Sequence, residues 1–432
     1  MAHCIIIGAG PGGLYAGHLL KEAGHSYEIL EASDRVGGRV VTHKKDGDIF
    51  EVGAQIFHSS YQHTDSLVRS LGLKNEKVPV NATAHYSMSN GKRWIQGSSP
   101  WMSGLGVRGN MALIRYILGQ VVFHRRPPLH RIEEVLAEDT MDAETFFARE
   151  QGNDFGDYLV PLLCAAMNVS SPRETSVQHL QHIFRITAFT SVYTFRKGNQ
   201  QIWQELAKGQ SITFNKRVEG LVYENGRVCG VKIEGTGEIR HADHVILAVA
   251  PDVTSRLLAP EMTHRKAFFE SLPANPQTIP VVYLDRRLDE RIANYMGDIR
   301  DGRHYLFAVD CVNKASQLVP SGRSCLTLWD YHPKCEELQG ASDELITETV
   351  LADLPYLIPG FSRDWVKEVE LVRHTYSHPP YKAGSYKKIV KFQEQENGDD
   401  GLYFASDVFG GSYMECALIY AHKAVSRILN QQ

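Results

Sequence analysis

At 432 residues the chain is long enough for two domains and a core of ample size. A net charge of −4 with mixed signs gives no case for a nucleic-acid partner. The seven cysteines are scattered, with no Cys-x-x-Cys and no zinc-like spacing, so no metal site is expected. No run of about eighteen apolar residues calls for a spanning helix. Reduced, scattered cysteines and a strand that starts at residue 3 lead us to expect a cytoplasmic protein without a cleaved leader. Nothing in the chain decides between a monomer and a homodimer.

The first informative stretch runs from His3 to Arg39. Cys4-Ile5-Ile6-Ile7 reads as a strand and Leu14 to Ala23 as a helix. Tyr27 to Leu30 reads as a second strand, ending at Glu31. Between the first strand and the helix stands Gly8-Ala9-Gly10-Pro11-Gly12-Gly13. This is a βαβ unit with glycines where a dinucleotide-binding turn needs them. Gly8 allows the tight turn, Gly10 lets the backbone approach a pyrophosphate, and Gly13 lets helix and strand pack closely. The helix N-terminus offers free N–H groups to phosphates. Glu31 stands where a carboxylate can bond the adenosine ribose. A tight turn without a ligand is the plain alternative.

The next run is Glu31-Ala32-Ser33-Asp34-Arg35-Val36-Gly37-Gly38-Arg39. An acid followed by Ala-x-x-Arg-x-Gly-Gly-Arg resembles the signature of the flavin-containing amine oxidase superfamily. That superfamily includes monoamine and polyamine oxidases, protoporphyrinogen oxidases and phytoene-type desaturases. The resemblance implies FAD. It also implies that Ala32, Gly38 and Arg39 join Gly8, Gly10, Pro11, Gly12, Gly13 and Glu31 in holding the cofactor, with the Arg39 cation near the pyrophosphate.

Further along, Val40 to His43 and Ile49 to Val52 read as a hairpin about Asp46-Gly47-Asp48. The resemblance places the following Gly53, Ala54 and Gln55 beside the flavin ring, with Gln55 in reach of ring or substrate. His58 and His63 are candidate proton carriers on a loop. From about 75 to 197 the βα alternation is lost. Helices are expected over Asn110 to Phe123, Arg131 to Arg149 and Asp154 to Met167. The apolar run Met111 to Phe123 reads as a buried helix with a basic end rather than a membrane foot. Gly198 to Leu206 resembles a family turn before a helix, with Asn199 in place of a second glycine.

Val218 to Tyr223, Val228 to Glu234 and Gly237 to His241 read as strands, and Asp243 to Pro251 as a core strand returning to the cofactor. In the resembled family a valine at the position of Val218 meets the adenine through its backbone. Thr278 to Leu284, Tyr305 to Val309 and Ser324 to Trp329 read as strands of a mixed sheet. Many amine oxidases carry a lysine at the start of the first of these, water-linked to the flavin, and none stands here. Tyr386 and Tyr413 match the two tyrosines that amine oxidases set before the flavin. Two rings there would hold an amine or a flat substrate. Asp407 matches an acid on the ribityl or pyrophosphate side. The N–H groups of Tyr413 and Met414, at the head of the last helix, would face the flavin where negative charge develops. Ser406 and Cys416 replace family glycines.

The resemblance implies an α/β fold: a Rossmann-like FAD-binding domain (1–75, 198–270 and 391–432) with an inserted substrate domain of mixed sheet and helices (76–197 and 271–390). It implies an FAD-dependent oxidoreductase that moves hydride from an amine-type small-molecule substrate to the flavin, with oxygen as acceptor. Tyr386, Tyr413, Gln55 and His58 are the candidate catalytic residues. A desaturase- or protoporphyrinogen-oxidase-like enzyme for a large, flat or apolar substrate, a redox-neutral flavoenzyme and a non-catalytic FAD-binding protein remain open.

Overall fold

His3–Ile7 is buried on both faces, and that places it in the middle of a layered sheet. Cys4 and Ile6 point to one core with Leu14, Leu20, Trp203 and Leu418. Ile5 and Ile7 point to another with Val245, Leu247, Phe269 and Ile419. The strand is the centre of a five-stranded sheet in the order Ile212–Thr213, Ser26–Leu30, His3–Ile7, His244–Leu247, Leu402–Phe404. All four pairings are parallel. The computed structural model describes residues 2–99, 101–119, 136, 139–168, 170–187, 190–272, 275–377, 379–396 and 398–430.

The Pro11–Glu22 helix crosses over this sheet, and its sequence explains both ends. Proline at the first helical position presets φ and gives up no needed N–H. The Ala23 N–H closes the other end on the Leu19 carbonyl at 3.0 Å. A methyl at Gly13 would stand 1.9 Å from the Gly8 carbonyl oxygen, so only glycine lets helix and strand meet. The C-terminal helix Met414–Asn430 lies beside this first helix, in the core that holds Leu14 and Leu418.

The second layer is a seven-stranded mixed sheet. Its order is Val366–His374, Gln277–Leu284, Cys325–Trp329, Phe307–Asp310, Asn294–Met296, Ala84–Ser87, Arg93–Gln96. Only the Asn294–Met296 to Ala84–Ser87 pairing is parallel. The Asp343–Leu357 helix covers one face through Ile346, Val350, Leu354 and Leu357.

Several sequence boundaries need correction. The hairpin strands are Thr42–Lys45 and Asp48–Glu51, because Asp46 and Gly47 take φ of 51° and 88° in a two-residue turn. Val40, Val41 and Val52 fall outside them. The first of the three helices runs over Val107–Ile117, with Ala112, Leu113 and Tyr116 buried. Residues 120–123, 131–135, 137 and 138 of the expected helices lie outside the described residues. Among the described residues only the short helical segments Ala143–Phe146 and Ala148–Glu150 follow between 139 and Gln151. The third begins as a π-turn, Phe155–Leu159, before α-helix Val160–Asn168. No helix among the described residues is long and apolar enough to cross a membrane.

Candidate active site

The glycine turn and the Glu31 segment form one connected edge. The Glu31 carboxylate accepts from the Ala9 N–H at 2.7 Å, the Ser33 N–H at 2.9 Å and the Ser33 hydroxyl at 2.7 Å. The Lys216 N–H donates to the Glu31 carbonyl at 2.9 Å, which brings the entry to Val218 alongside. Ala32 and Gly38 are exposed, and Gly10, Pro11 and Arg39 are half-buried. A methyl at Gly38 would stand 3.3 Å from the Gly10 Cα, so two bare backbones face each other across the turn.

These residues fit a dinucleotide. No side chain caps the N-terminus of the Pro11–Glu22 helix, which leaves its N–H groups for an anion. The backbone N–H groups of Tyr413 and Met414, at the head of Met414–Asn430, have no backbone partner among the described residues. Arg39 follows Gly38, which faces Gly10 before the first helix, and bonds Asp407, whose carbonyl accepts from the Ser412 N–H before the last. Its guanidinium donates to Asp407 Oδ1 at 2.6 Å and to the Ser377 carbonyl, and it lies 5.7 Å from the Tyr376 ring centre. Two helix N-termini and a guanidinium suit a diphosphate and an electron-rich ring edge.

Gly53 to Gln55 passes directly beside Arg39. A methyl at Gly53 would meet the Arg39 carbonyl oxygen at 2.1 Å, and the Ala54 N–H donates to that oxygen at 3.3 Å. Both ends of the Gln55 amide are bound to protein. Its Nε2 donates to the Glu51 carbonyl at 2.7 Å and its Oε1 accepts from Lys314 Nζ at 2.9 Å. Lys314 also donates to the Gln55 carbonyl at 2.8 Å. Asn199 earns its place in this network. Its N–H donates to Glu51 Oε1 at 2.7 Å and its side chain donates to the Ala54 carbonyl at 2.9 Å. The Thr42 hydroxyl completes the set on Glu51 at 3.0 Å.

Burial pushes the Glu51 carboxyl up to about 7, against the pull of Lys314 and its donors. Burial lowers the Lys314 ammonium, and Glu51 opposes that shift. Neither Lys314 nor Glu51 is visible as a site residue in the sequence. The lysine stands 259 positions from the glutamine that it holds.

Tyr386 and Tyr413 are brought to one group, the imidazole of His179. Nδ1 lies 2.8 Å from the Tyr386 hydroxyl, and Nε2 lies 3.5 Å from that of Tyr413. The His179 ring is parallel to Tyr413 within 5° at 6.0 Å and stacks on Tyr381 at 4.5 Å. Burial raises both phenols, Tyr386 and Tyr413, well above their usual range, so they stay protonated. His58 is buried among other partners. Its Nδ1 is 3.3 Å from the Thr190 hydroxyl, and its ring is 5.5 Å from Tyr61. Burial alone lowers it to about 4, so it is neutral at pH 7. The structure therefore joins Arg39 to Asp407, Gln55 to Lys314 and the two tyrosines to His179, while the bonds given for His58 and Gln55 go to other partners.

Gln178, His179, Gln181 and His182 on the Val177–Thr187 helix are all at most 3% exposed, an unusual polar load for a buried helix. Cys416, in a family glycine position, turns its thiol to the Gly410 carbonyl at 3.1 Å.

A family model for flavin-containing amine oxidoreductases matches residues 11–429. A 15-cis-phytoene desaturase from an Oncidium hybrid cultivar is 23% identical over 446 residues, covering 95% of this chain and 74% of that protein. A putative protoporphyrinogen oxidase from Exiguobacterium sp. 255-15 superposes with a TM-score of 0.77 at 18% identity, covering 100% of this chain and 99% of that one. A triple mutant of putrescine oxidase superposes with a TM-score of 0.75 at 19% identity, with the same coverage.

Proposed function

Because the chain belongs to the flavin-containing amine oxidoreductase family, whose FAD its residues fit, we propose that it oxidises a small molecule at a carbon of a C–N or C–C unit, with oxygen as final acceptor. Bound FAD supplies the hydride acceptor, and oxygen takes the electrons on as hydrogen peroxide. Everything else is binding and orientation. The open N-terminus of Pro11–Glu22 and Arg39 would hold the pyrophosphate. Glu31 would hold the ribose and the Val218 backbone the adenine. Gly53 and Ala54 would wall one side of the ring system. Asp407 and the N–H groups of Tyr413 and Met414 would hold the other end. In this reading residues 1–75, 198–270 and 391–432 carry the cofactor, and 76–197 with 271–390 build the chamber over its reactive edge.

A neutral amine can lose hydride from the carbon next to nitrogen directly, so this reaction forces no acid–base residue on the protein. The protonated phenols of Tyr386 and Tyr413 supply shape rather than proton transfer. The observation that carries this reading is the Arg39–Asp407 contact, where the first and last motifs meet. Purified protein should be yellow, bleach anaerobically with substrate and recover in air with peroxide release. Colourless protein that refuses FAD overturns the reading. A second reading, dehydrogenation of a large flat or apolar substrate, is favoured by the lack of lysine in Gln277–Leu284 and by the enclosure of Tyr386. A peroxide-release screen over amines, amino acids and porphyrinogens separates the two.

A further inference from the structure

Two tyrosines that hold an ammonium group need an open slot between their rings. Here that space is taken. Tyr386 and Tyr381 are fully buried and His179 is 1% exposed, while Tyr413 alone is partly open. His179 engages both hydroxyls, and its ring lies parallel to those of Tyr381 and Tyr413. His182 stacks on Tyr386 from the same helix at 5.2 Å. From the other side, the Tyr381 hydroxyl donates to the Val408 carbonyl at 2.9 Å and meets the Ser412 hydroxyl at 2.7 Å. The loop packs close at Gly411. A methyl at Gly411 would stand 2.9 Å from Tyr413, 3.0 Å from the Tyr386 hydroxyl and 3.4 Å from His179.

The charges nearby give an ammonium group no welcome either. Among the described residues, Asp139 acts on Tyr386 and Asp407 on Tyr381. Asp139 is committed to the Ser176 hydroxyl at 2.7 Å and the Lys387 N–H at 2.9 Å. Asp407 is committed to Arg39. Glu415, next in the last helix, accepts from the N–H groups of His63 and Thr64 and from the Thr64 hydroxyl. A cation placed among these rings would lose water and gain no counter-charge.

We propose that His179 is a positioning and specificity-determining residue that closes the space between Tyr386 and Tyr413 against alkylammonium groups, and that the site takes a neutral, flat, conjugated molecule on Tyr413. This rests on the reading that these tyrosines stand at the flavin. An imidazole can bond both hydroxyls at once, with one ring nitrogen donating and the other accepting, and so fixes the two phenols relative to each other. A flat neutral molecule gains ring contact with Tyr413 and asks for no counter-ion.

The test uses the FAD-loaded full chain and reads ligand-induced changes in the flavin absorption band. The probes are benzylamine, a cation at pH 7, and 2-naphthol, neutral and flat. Wild type should show saturable changes with 2-naphthol and none with benzylamine. His179→Gly should show saturable benzylamine changes with a midpoint at least about tenfold below the highest concentration at which wild type stays silent, and added imidazole should reverse the gain by refilling the space. His179→Phe, which keeps a ring but loses both hydrogen bonds, should still exclude benzylamine. Equal benzylamine responses in wild type and His179→Gly, no effect of imidazole, or silence toward 2-naphthol would each overturn the proposal. Tyr413→Ala tells its failure from that of the underlying reading. An unchanged flavin spectrum in that variant removes the tyrosines from the flavin, whereas a changed spectrum with equal benzylamine responses removes only the role of His179.

Discussion

Arg39 and Asp407 stand 368 positions apart, and a 2.6 Å hydrogen bond joins them. The Asp407 side chain is 12% exposed and that of Arg39 is 36% exposed, so removing the cation strands a carboxylate in a partly dry place. Loss of a partner from a buried pair costs about 3–5 kcal/mol, and the exposure of Arg39 discounts that to about 2. We expect Arg39→Met to lower stability by about that amount in urea unfolding. The variant should also lose FAD on gel filtration. Asp407→Asn keeps an acceptor for Arg39 and should do less of both. Full FAD retention in Arg39→Met would remove Arg39 from the cofactor site.

Glu31 makes a different kind of prediction. Its carboxylate is half-buried and accepts three donors from its own turn, so part of its role is to shape the Ala9 loop. Glu31→Ala should weaken FAD binding by tenfold or more, or about 1.4 kcal/mol, in a fluorescence titration. The apoprotein should keep a cooperative unfolding transition, because the parallel sheet does not depend on this side chain. Unchanged FAD affinity would place the ribose elsewhere.

The same contrast between local and distant partners explains how far the sequence could be read. The βαβ unit is legible because everything that makes it lies within Cys4 to Arg39: an apolar run buried on both faces, a proline at the helix start and glycines where backbones touch. The long edge strand Val366–His374 escaped notice because charged residues interrupt it and none of its residues is fully buried. It pairs along its whole length with Gln277–Leu284, a partner that no local pattern announces. Asn199 reads as a departure from a glycine turn, yet its side chain bonds Ala54 and Thr194 in a network that only the folded chain assembles. His179 was hidden for the same reason. One histidine on an amphipathic helix is ordinary until two tyrosines from the far end of the chain meet it.

The Glu51–Lys314 network yields a prediction about coupling. Glu51 is 3% exposed and Lys314 7% exposed. Lys314→Met would leave Glu51 without the cation that acts on it, and because Glu51 already titrates at about 7 it can respond by taking a proton, so the loss should stay below the about 3–5 kcal/mol of a broken buried ion pair. The double variant Glu51→Gln with Lys314→Met should recover most of that loss, because a neutral amide still accepts from Asn199 and Thr42. Urea unfolding of the four proteins in this double-mutant cycle measures the coupling. A strictly additive cycle would show that the two groups do not interact. Gln55 provides a second readout. Without Lys314 its carbonyl loses a donor, so the Gly53–Gln55 wall should loosen and the flavin spectrum of loaded protein should shift.

His58 sets the expected pH dependence. Burial lowers its folded value to about 4, from 6.5 in the unfolded chain. Its neutral form therefore favours the folded state, and that contribution is fully present above pH 6.5. It is lost as pH falls from 6.5 toward 4, where the unfolded chain binds a proton that the folded chain resists. The shift corresponds to about 3 kcal/mol at most. His58→Phe should remove this acid-side loss, flattening the stability curve between pH 6.5 and 4 in thermal melts. It should leave the activity profile around pH 6.5 unmoved, because a residue already neutral there carries no proton for the reaction. A limb near pH 6.5 in turnover that disappears in His58→Phe would restore His58 as a proton carrier.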